Sequence, residues 1–188
     1  MKKAQATVDI EYRVYPTPDQ QKAIFKTLKA CQFVYNHYLR KHIDDYKATG
    51  QSLGFYDCMT DFKSFKREND WLREADSQAL KFAIKELYTD FAHFFYAKRG
   101  YPQYKRNGCA ERHYKTPANN GSIKISSYGI QLPKLGKVSA VDPNNFTFKQ
   151  IEQPKSEIIA ATITCKYNKQ FFVVLHCKKP KEEMKSPD

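Results

Sequence analysis

The sequence predicts an α+β protein in which a helical bundle is inserted after the first strand of a small antiparallel, OB-like β-barrel. Three observations lead to this prediction. Residues 3–14 alternate between apolar and polar side chains, as in a half-buried strand. Three later stretches carry apolar residues at steps of three and four, as in amphipathic helices. Between residues 123 and 177, short apolar runs alternate with turn residues, as in small all-β units.

The first helix is predicted to begin within the segment YPTPDQQ. Thr17 and Gln20 have the spacing of a capping box, and Pro18 suits a first helical turn. The helical pattern extends to about Lys47, and Gly50 ends it. The predicted inward residues are Ile24, Leu28, Cys31, Tyr35, Tyr38 and His42.

Two further helices are predicted. The shorter one covers residues 56–67, with Cys58, Phe62 and Phe65 facing inward. The longer one begins at Asp76 or Ser77, which are both good N-caps, and ends near residue 98. The inward residues of this third helix are Leu80, Ile84, Leu87, Phe91 and Phe94.

The second half of the chain is predicted to form short strands. They are marked by Ile123 and Ile125, Ile130 and Leu132, Val138, Phe146 and Phe148, residues 159–167 and residues 171–177. Asn, Gly, Pro and Asp residues separate these runs, as expected of turns. The final residues, 179–188, have no apolar period and are predicted to be a tail.

The charge balance indicates a polyanionic partner. Lys and Arg number 32 against 20 Asp and Glu, which gives a formal net charge of +12 and a pI near 9.4. Such a charge attracts nucleic acid or an acidic membrane surface over a long range. The alternative is a basic protein whose charge serves solubility alone. The sequence has no apolar run long enough to span a bilayer, so we expect no membrane partner.

Cysteine usage points to a reducing compartment. The five cysteines are odd in number and form no CxxC pair, and the histidines have no zinc-ligand spacing. Met1 leads directly into the first strand without a signal-peptide pattern. We therefore expect a cytoplasmic protein with free thiols and no metal site.

Residues 101–115, YPQYKRNGCAERHYK, combine cations with aromatic side chains. Lys and Arg neutralise phosphates, and tyrosine rings can stack on unpaired bases. The alternative is a solvated basic loop between bundle and barrel. With flanking cations, the candidate nucleic-acid-binding residues are Lys98, Arg99, Tyr101, Tyr104, Lys105, Arg106, Arg112, Tyr114, Lys115, Lys134 and Lys137.

Catalytic signatures are missing from the sequence. It has no GxSxG, HExxH or GxxxxGK[ST] motif. A two-metal nuclease needs several carboxylates that converge on one point, whereas the acidic residues here are scattered over predicted helix faces and caps. We therefore expect no catalytic residue and no cofactor in this chain.

Several stretches, taken together, resemble the TnpB family of transposon-encoded RNA-guided nucleases, which is related to type V CRISPR effectors. These stretches are residues 15–50, residues 71–95, GYPQYKRN at 100–107 and IQLPKLGKV at 130–138. The resemblance covers about residues 4–178. It implies a wedge β-barrel formed by residues 1–16 and 105–178, and a recognition helical bundle formed by residues 17–104.

The resemblance also implies partners and residue roles. The two parts would hold a guide RNA and read a short DNA motif next to the target. By position, the motif-reading residues would be Phe55, Met59, Ser77, Gln78, Lys81, Phe82, Asn119 and Asn120. The RuvC nuclease domain of the family, with its metal-binding acids, has no counterpart in this sequence. Any Mg²⁺ would belong to that missing domain.

Four readings of function stay open at this point. The chain is a nucleic-acid-binding module of a TnpB-like system, or one half of a split endonuclease completed by a separate RuvC-containing chain. It is alternatively a decoy or inhibitor that binds a related effector or its RNA. The fourth reading is a generic basic RNA-binding protein with little preference among structured RNAs.

Overall fold

A computed structural model describes residues 7–106, 111–119, 121–126, 129–141, 157–167 and 169–178. The elements, in chain order, are β1 (Thr7–Tyr15), α1 (Pro18–Thr49), α2 (Phe55–Glu68), a 3₁₀ helix (Asp70–Arg73), α3 (Ser77–Ala97), β2 (Glu111–Pro117), β3 (Lys124–Ser126), β4 (Gly129–Leu132), β5 (Gly136–Val141), β6 (Ile158–Lys166) and β7 (Gln170–Lys178). This order confirms the α+β class and the insertion of helices after the first strand.

The strands form one antiparallel sheet in the order β2-β6-β7-β1-β5-β4-β3. β1 lies inside the sheet, because it pairs with β7 on one side and with β5 on the other. The described pairings leave β2 and β3 at opposite edges. The predicted antiparallel sheet is therefore confirmed, but the closed barrel and the OB-like fold are not.

Alternation along the strands buries one face of this sheet. In β7, Phe171, Val173, Leu175 and Cys177 are buried, whereas the residues between them are partly exposed. Tyr12 of β1 lies opposite Val173, and both are at most 3% exposed. Because paired residues project to the same side, the core face runs continuously across the three strands β6, β7 and β1.

β2 is a strand that the sequence pattern did not predict. Residues 111–115 belong to the stretch for which a solvated loop was the alternative, but residues 111–117 pair with β6 from Glu111↔Lys166 to Pro117↔Ala160. The segment carries one large apolar residue at an inward position, Tyr114, so its alternation is weak. Pairing with β6 decides its conformation. The predicted strand at Phe146 and Phe148 and the predicted tail lie outside the described residues.

The predicted helix signals are confirmed. The Thr17 N–H donates to Gln20 Oε1 at 3.0 Å, and the Gln20 N–H donates to Thr17 Oγ1 at 3.3 Å, which completes the capping box. Asp76 Oδ1 caps α3 by accepting from the Gln78 N–H at 2.9 Å. All predicted inward residues of the three helices are buried except His42 and Phe94, which are half-buried.

The chain divides into two compact units. The strand unit contains the strands and the start of α1 through Lys22. The helical unit contains α1 from Ala23, then α2, the 3₁₀ helix, α3 and the segment that follows α3. None of the helices in the described part of the chain has the length and apolarity needed to cross a membrane. The four described cysteines, Cys31, Cys58, Cys165 and Cys177, are free and buried.

Candidate nucleic-acid interface

The end of α3 exposes adjacent cations. Lys98 caps the helix in a left-handed conformation with φ 49°, and the Arg99 N–H donates to the His93 carbonyl at 3.2 Å. This cap turns the chain back at the helix end. Both side chains are exposed. Lys98 and Arg99 are therefore placed where a phosphate backbone can reach them.

Aromatic residues precede and follow these two cations in the sequence. Tyr101 is 37% exposed and contacts Phe91 and Phe94 at centroid distances of 5.6 and 5.2 Å, which fixes its position. Phe95 and Tyr96 are 65% and 89% exposed. Phe95 and Tyr96 were not among the site residues predicted from the sequence. The helical pattern could have indicated their exposure, because both fall outside the inward stripe that includes Phe91 and Phe94. We call residues 95–106 the basic–aromatic segment.

Lys105 anchors this segment instead of presenting a free charge. Its carbonyl accepts from Gln32 Nε2 and Asn36 Nδ2 at 2.9 Å each, and its N–H donates to Asn36 Oδ1 at 2.8 Å. Its Nζ lies 2.6 Å from Glu86 Oε2 and 4.4 Å from the centroid of the Tyr35 ring. The predicted phosphate contact from Lys105 therefore lacks support, since Glu86 already neutralises its charge. Tyr104 and Arg106, on either side, are exposed.

The remaining predicted RNA-binding residues lie in the strand unit. Tyr114, in β2, is 4% exposed and lies in the core of the strand unit, so its ring is not available to stack on a base. Arg112 and Lys115, also in β2, are half-buried. Lys134 lies in the β4–β5 turn with φ 64°, and Lys137 lies in β5; both are exposed.

The predicted DNA-reading residues of the helical unit fall into two groups. Ser77, Gln78, Lys81 and Phe82 occupy the first two turns of α3. Phe55 and Met59 lie at the start of α2, where the Phe55 ring contacts Tyr88 of α3 at 5.6 Å. Tyr88 follows Ser77 by 11 residues in α3, which corresponds to about 16 Å along the helix axis. The contact of Phe55 with α3 is therefore about that far along the helix from the Ser77 end.

Individual side chains in these groups differ in their access to solvent. Lys81 is exposed, whereas Phe82 is half-buried beneath the Lys85 ammonium at 5.6 Å. Ser77 Oγ accepts a hydrogen bond from Lys66 Nζ. In the strand unit, Asn119 is exposed in the turn after β2, and Asn120 lies outside the described residues.

Two tyrosine–aspartate pairs hold α1 against the other helices. Tyr35 Oη donates to Asp90 Oδ2 at 2.7 Å, and Tyr38 Oη donates to Asp61 Oδ2 at 2.9 Å. Asp61 also accepts from Lys41 Nζ at 2.9 Å. Burial by itself raises the pKa of the Asp61 carboxyl, but the hydrogen bonds from Lys41 and Tyr38, together with the nearby positive charge of Lys41, bring this pKa below its usual value. Asp61 is therefore ionised at neutral pH.

Two histidines of α1 take part in the same packing. His37 stacks on Phe65 at 3.9 Å, and His42 stacks on Phe91 at 4.0 Å, between ring centroids. Burial lowers the pKa of both imidazoles, and the neighbouring Lys41 ammonium lowers the pKa of His37 further. Both rings are therefore neutral partners of the aromatic core near pH 7.

Acidification is expected to destabilise the helical unit as the pH falls below about 6.5. The pKa values of His37 and His42 are lower in the folded chain than the usual 6.5, so the unfolded chain takes up protons first. The contribution of the two neutral histidines to stability is fully present above pH 6.5, and it is lost as the pH falls from 6.5 to their folded pKa values. The contribution of Asp61 is lost at lower pH, as the pH falls through its depressed folded pKa.

Urea unfolding followed by helical circular dichroism, between about pH 7.5 and about pH 5, measures this effect. The free energy of unfolding should fall by at most about 1.4 kcal/mol per pH unit for each histidine. His42→Phe keeps the stacked ring and should reduce the slope. If the free energy of unfolding of the His42→Phe variant depends on pH as steeply as that of the unmodified chain, His42 is not a source of the pH dependence.

Outside the helical unit, one polar row crosses the outer face of the sheet. His176 Nδ1 lies 2.6 Å from Asp9 Oδ1, and His176 Nε2 lies 2.8 Å from Thr162 Oγ1. The three residues belong to β7, β1 and β6, which are neighbours in the sheet. We assign this row a role in joining the strands. Among the described residues, no group of three His, Cys, Asp or Glu side chains is arranged to hold a metal ion.

Comparison with known proteins identifies the relatives of this chain. A sequence profile described as a helix-turn-helix domain, of the OrfB–IS605 type, matches residues 7–51. InsQ of Escherichia coli (strain K12), a proposed RNA-guided DNA endonuclease, is 25% identical over 140 residues, covering 72% of this chain and 33% of InsQ. The resemblance to the TnpB family is confirmed. A proposed RNA-guided DNA endonuclease of Streptomyces pristinaespiralis is 28% identical over 97 residues, covering 50% of this chain and 24% of that relative.

The similarity to TnpB-type proteins has a defined extent. The chain spans about a third or less of the length of these two relatives. The profile match, residues 7–51, corresponds here to β1 followed by the single uninterrupted helix α1 and the first residues after it. In this structure the matched residues therefore do not form two helices joined by a turn. The similarity supports a nucleic-acid-binding part of a TnpB-like protein.

Proposed function

We propose that this chain binds a structured guide RNA and a short target-adjacent DNA motif as part of a TnpB-like RNA-guided system. The observation that carries the proposal is the basic–aromatic segment at the end of α3. Lys98 and Arg99 offer cations to phosphates, and the exposed rings of Phe95 and Tyr96 offer stacking faces to unpaired bases. Similarity to two proposed RNA-guided endonucleases supports the choice of RNA.

In this proposal, the strand unit acts as the wedge, its sheet closing into a barrel, and the helical unit acts as the recognition bundle. Motif reading belongs to the start of α3, where Gln78 and the exposed Lys81 can reach base edges and phosphates in a groove. Base pairing by the guide would then read the rest of the target. No catalytic step is assigned to the residues of this chain.

A second candidate is suggested by the extent of the similarity. The relatives are described as endonucleases, and the chain spans only part of their length. The chain would then be the nucleic-acid-binding half of an RNA-guided endonuclease, with the RuvC centre supplied by another chain. Addition of such a chain, with Mg²⁺, would produce guided DNA cleavage under this candidate and none under the first.

Purification of the chain from its host, followed by sequencing of the bound nucleic acid, tests the proposal. We expect one dominant structured RNA that survives a wash at a salt concentration sufficient to remove non-specific RNA. The purified chain should also bind this RNA more tightly than a scrambled RNA of equal length. A broad mixture of cellular RNA, or none, would overturn the proposal in favour of a generic binder or a decoy.

A further inference from the structure

A groove of about 440 Å³ lies in the helical unit, between α1 and the 3₁₀ helix. It is lined by Lys26, Lys29, Trp71 and Glu74. Its volume is within the usual range for small-ligand sites, roughly 300–1,000 Å³. None of its residues belongs to the basic–aromatic segment or to the predicted DNA-reading set. Trp71 is the single tryptophan of the sequence and is 41% exposed.

The exposed Trp71 ring is held in place by other rings. Its centroid lies 5.2 Å from Phe33, which stacks on Phe65 at 5.6 Å with an interplanar angle of 19°. Phe65 in turn stacks on His37 at 3.9 Å. This row connects the groove to the packed interior of the helical unit, where Phe65 is 8% exposed. A flat aromatic surface that is already ordered loses little entropy when a second flat ring stacks on it.

Charged groups border this aromatic surface. Lys26 and Lys29 are one turn apart on α1, and Phe33 follows Lys29 by one turn, so the three share a helix face. Lys26 Nζ forms an ion pair with the Glu74 carboxylate, and Lys29 is exposed. The Glu74 side chain is 58% exposed and retains acceptor positions on its carboxylate oxygens. The groove therefore presents a stacking face, a hydrogen-bond acceptor and, at Lys29, a cation for a phosphate.

We propose that this groove binds an unpaired guanine nucleotide of a single-stranded nucleic acid. The base stacks on Trp71, its N1–H and N2 amino group donate to the Glu74 carboxylate, and its phosphate lies against Lys29. Guanine presents two adjacent N–H donors on one edge, which match the two oxygens of a carboxylate. Uracil presents one N–H between two carbonyl oxygens, which the carboxylate repels. The site rests on the proposed function only in taking nucleic acid as the partner.

The fluorescence of Trp71 reports directly on this site, because no other tryptophan contributes to the signal. The full chain is titrated with guanosine monophosphate and separately with uridine monophosphate. We expect saturable quenching by the guanine nucleotide and affinity for the uracil nucleotide that is weaker by about tenfold or more. N-acetyltryptophanamide, titrated alike, measures collisional quenching. Quenching no greater than that of the free amide, or equal affinity for both nucleotides, would overturn the proposal.

Charge variants of α1 provide matched controls. Lys29→Glu should weaken guanosine monophosphate binding by about tenfold. Lys47→Glu makes the same charge change at the exposed C-terminal end of the same helix and should leave binding unchanged. Equal weakening by both variants would show that net charge, and not the groove, governs binding. Glu74→Gln should reduce the preference for guanine over uracil, and an unchanged preference would overturn the role of Glu74.

Trp71→Ala, measured by equilibrium dialysis, should reduce affinity by about 5- to 150-fold, the range found when a stacking partner of a base is removed. Lys29→Glu keeps the proposal falsifiable if Trp71→Ala fails to fold. The two proposals fail separately. A dominant bound RNA without nucleotide-dependent quenching overturns the groove alone. Selective quenching by guanosine monophosphate without a dominant bound RNA overturns the proposed function and supports the groove.

Discussion

Gly129→Ala is expected to destabilise the strand unit by about 3 kcal/mol or more. Gly129 begins β4 with φ +155°, a conformation that side-chain-bearing residues rarely adopt. A Cβ atom there would lie 2.1 Å from the Val138 carbonyl oxygen and 2.9 Å from the Val138 carbonyl carbon. Because the obstacle is backbone, relief would require β4 and β5 to separate, which would expose Ile130, now 0% exposed.

Gly136→Ala is the matched control for this prediction. Gly136 has φ +67°, but nothing lies within 4 Å of an added Cβ atom. Its cost should be limited to the strain of a left-handed alanine, about 1–2 kcal/mol. Because the chain forms two compact units, denaturant unfolding of the whole chain does not by itself show which unit is destabilised. Amide hydrogen exchange over residues 124–141 should therefore be measured as well, since it reports local opening of the strand unit. Equal protection in the two variants would contradict the close approach of Gly129 to β5.

Reversing the charges of Lys98 and Arg99 together should weaken RNA binding by about 10- to 100-fold at moderate salt. Both side chains are exposed at the end of α3, so their replacement by glutamate should leave the fold intact. Each phosphate contact releases bound cations from the RNA. Loss of two contacts should therefore reduce the slope of log K against log salt concentration by about 1.4–1.8.

The control variant reverses Lys47 and Lys63, which are exposed elsewhere in the helical unit. Both double variants change the net charge equally, so a long-range electrostatic effect would weaken binding in both alike. Filter binding across a salt series distinguishes the two cases. If the Lys98/Arg99 variant and the Lys47/Lys63 variant show the same affinity and slope, the basic–aromatic segment is not the RNA surface.

The sequence predicted some of the accessible site residues correctly and also suggested residues whose side chains are not accessible in the structure. Composition and spacing identified the cations Lys98 and Arg99, which are exposed as expected. They also suggested Lys105 and Tyr114, which the fold uses for an ion pair with Glu86 and for the core of the sheet. A cation or aromatic residue in a pattern carries no information about a partner far along the chain. That partner decides whether the side chain remains accessible.

The groove at Trp71 shows the same limit. Trp71 and Phe33 are separated by 37 intervening residues in the sequence, and no local period connects them. Their contact at 5.2 Å exists because the 3₁₀ helix packs beside α1. Sequence patterns did not predict the 3₁₀ helix, since its four residues are too few to show a helical repeat.

By itself, the sequence determined the three helices, their caps and their inward faces, together with the alternation of the first strand. These features depend on interactions between residues at most a few positions apart, and a repeating pattern records them. Only the tertiary structure decided that β1 lies between β7 and β5, that residues 111–117 form a strand, and that Lys105 is paired. Those outcomes depend on contacts between distant residues, because the free energy of burial and pairing is shared by segments that have no local relation.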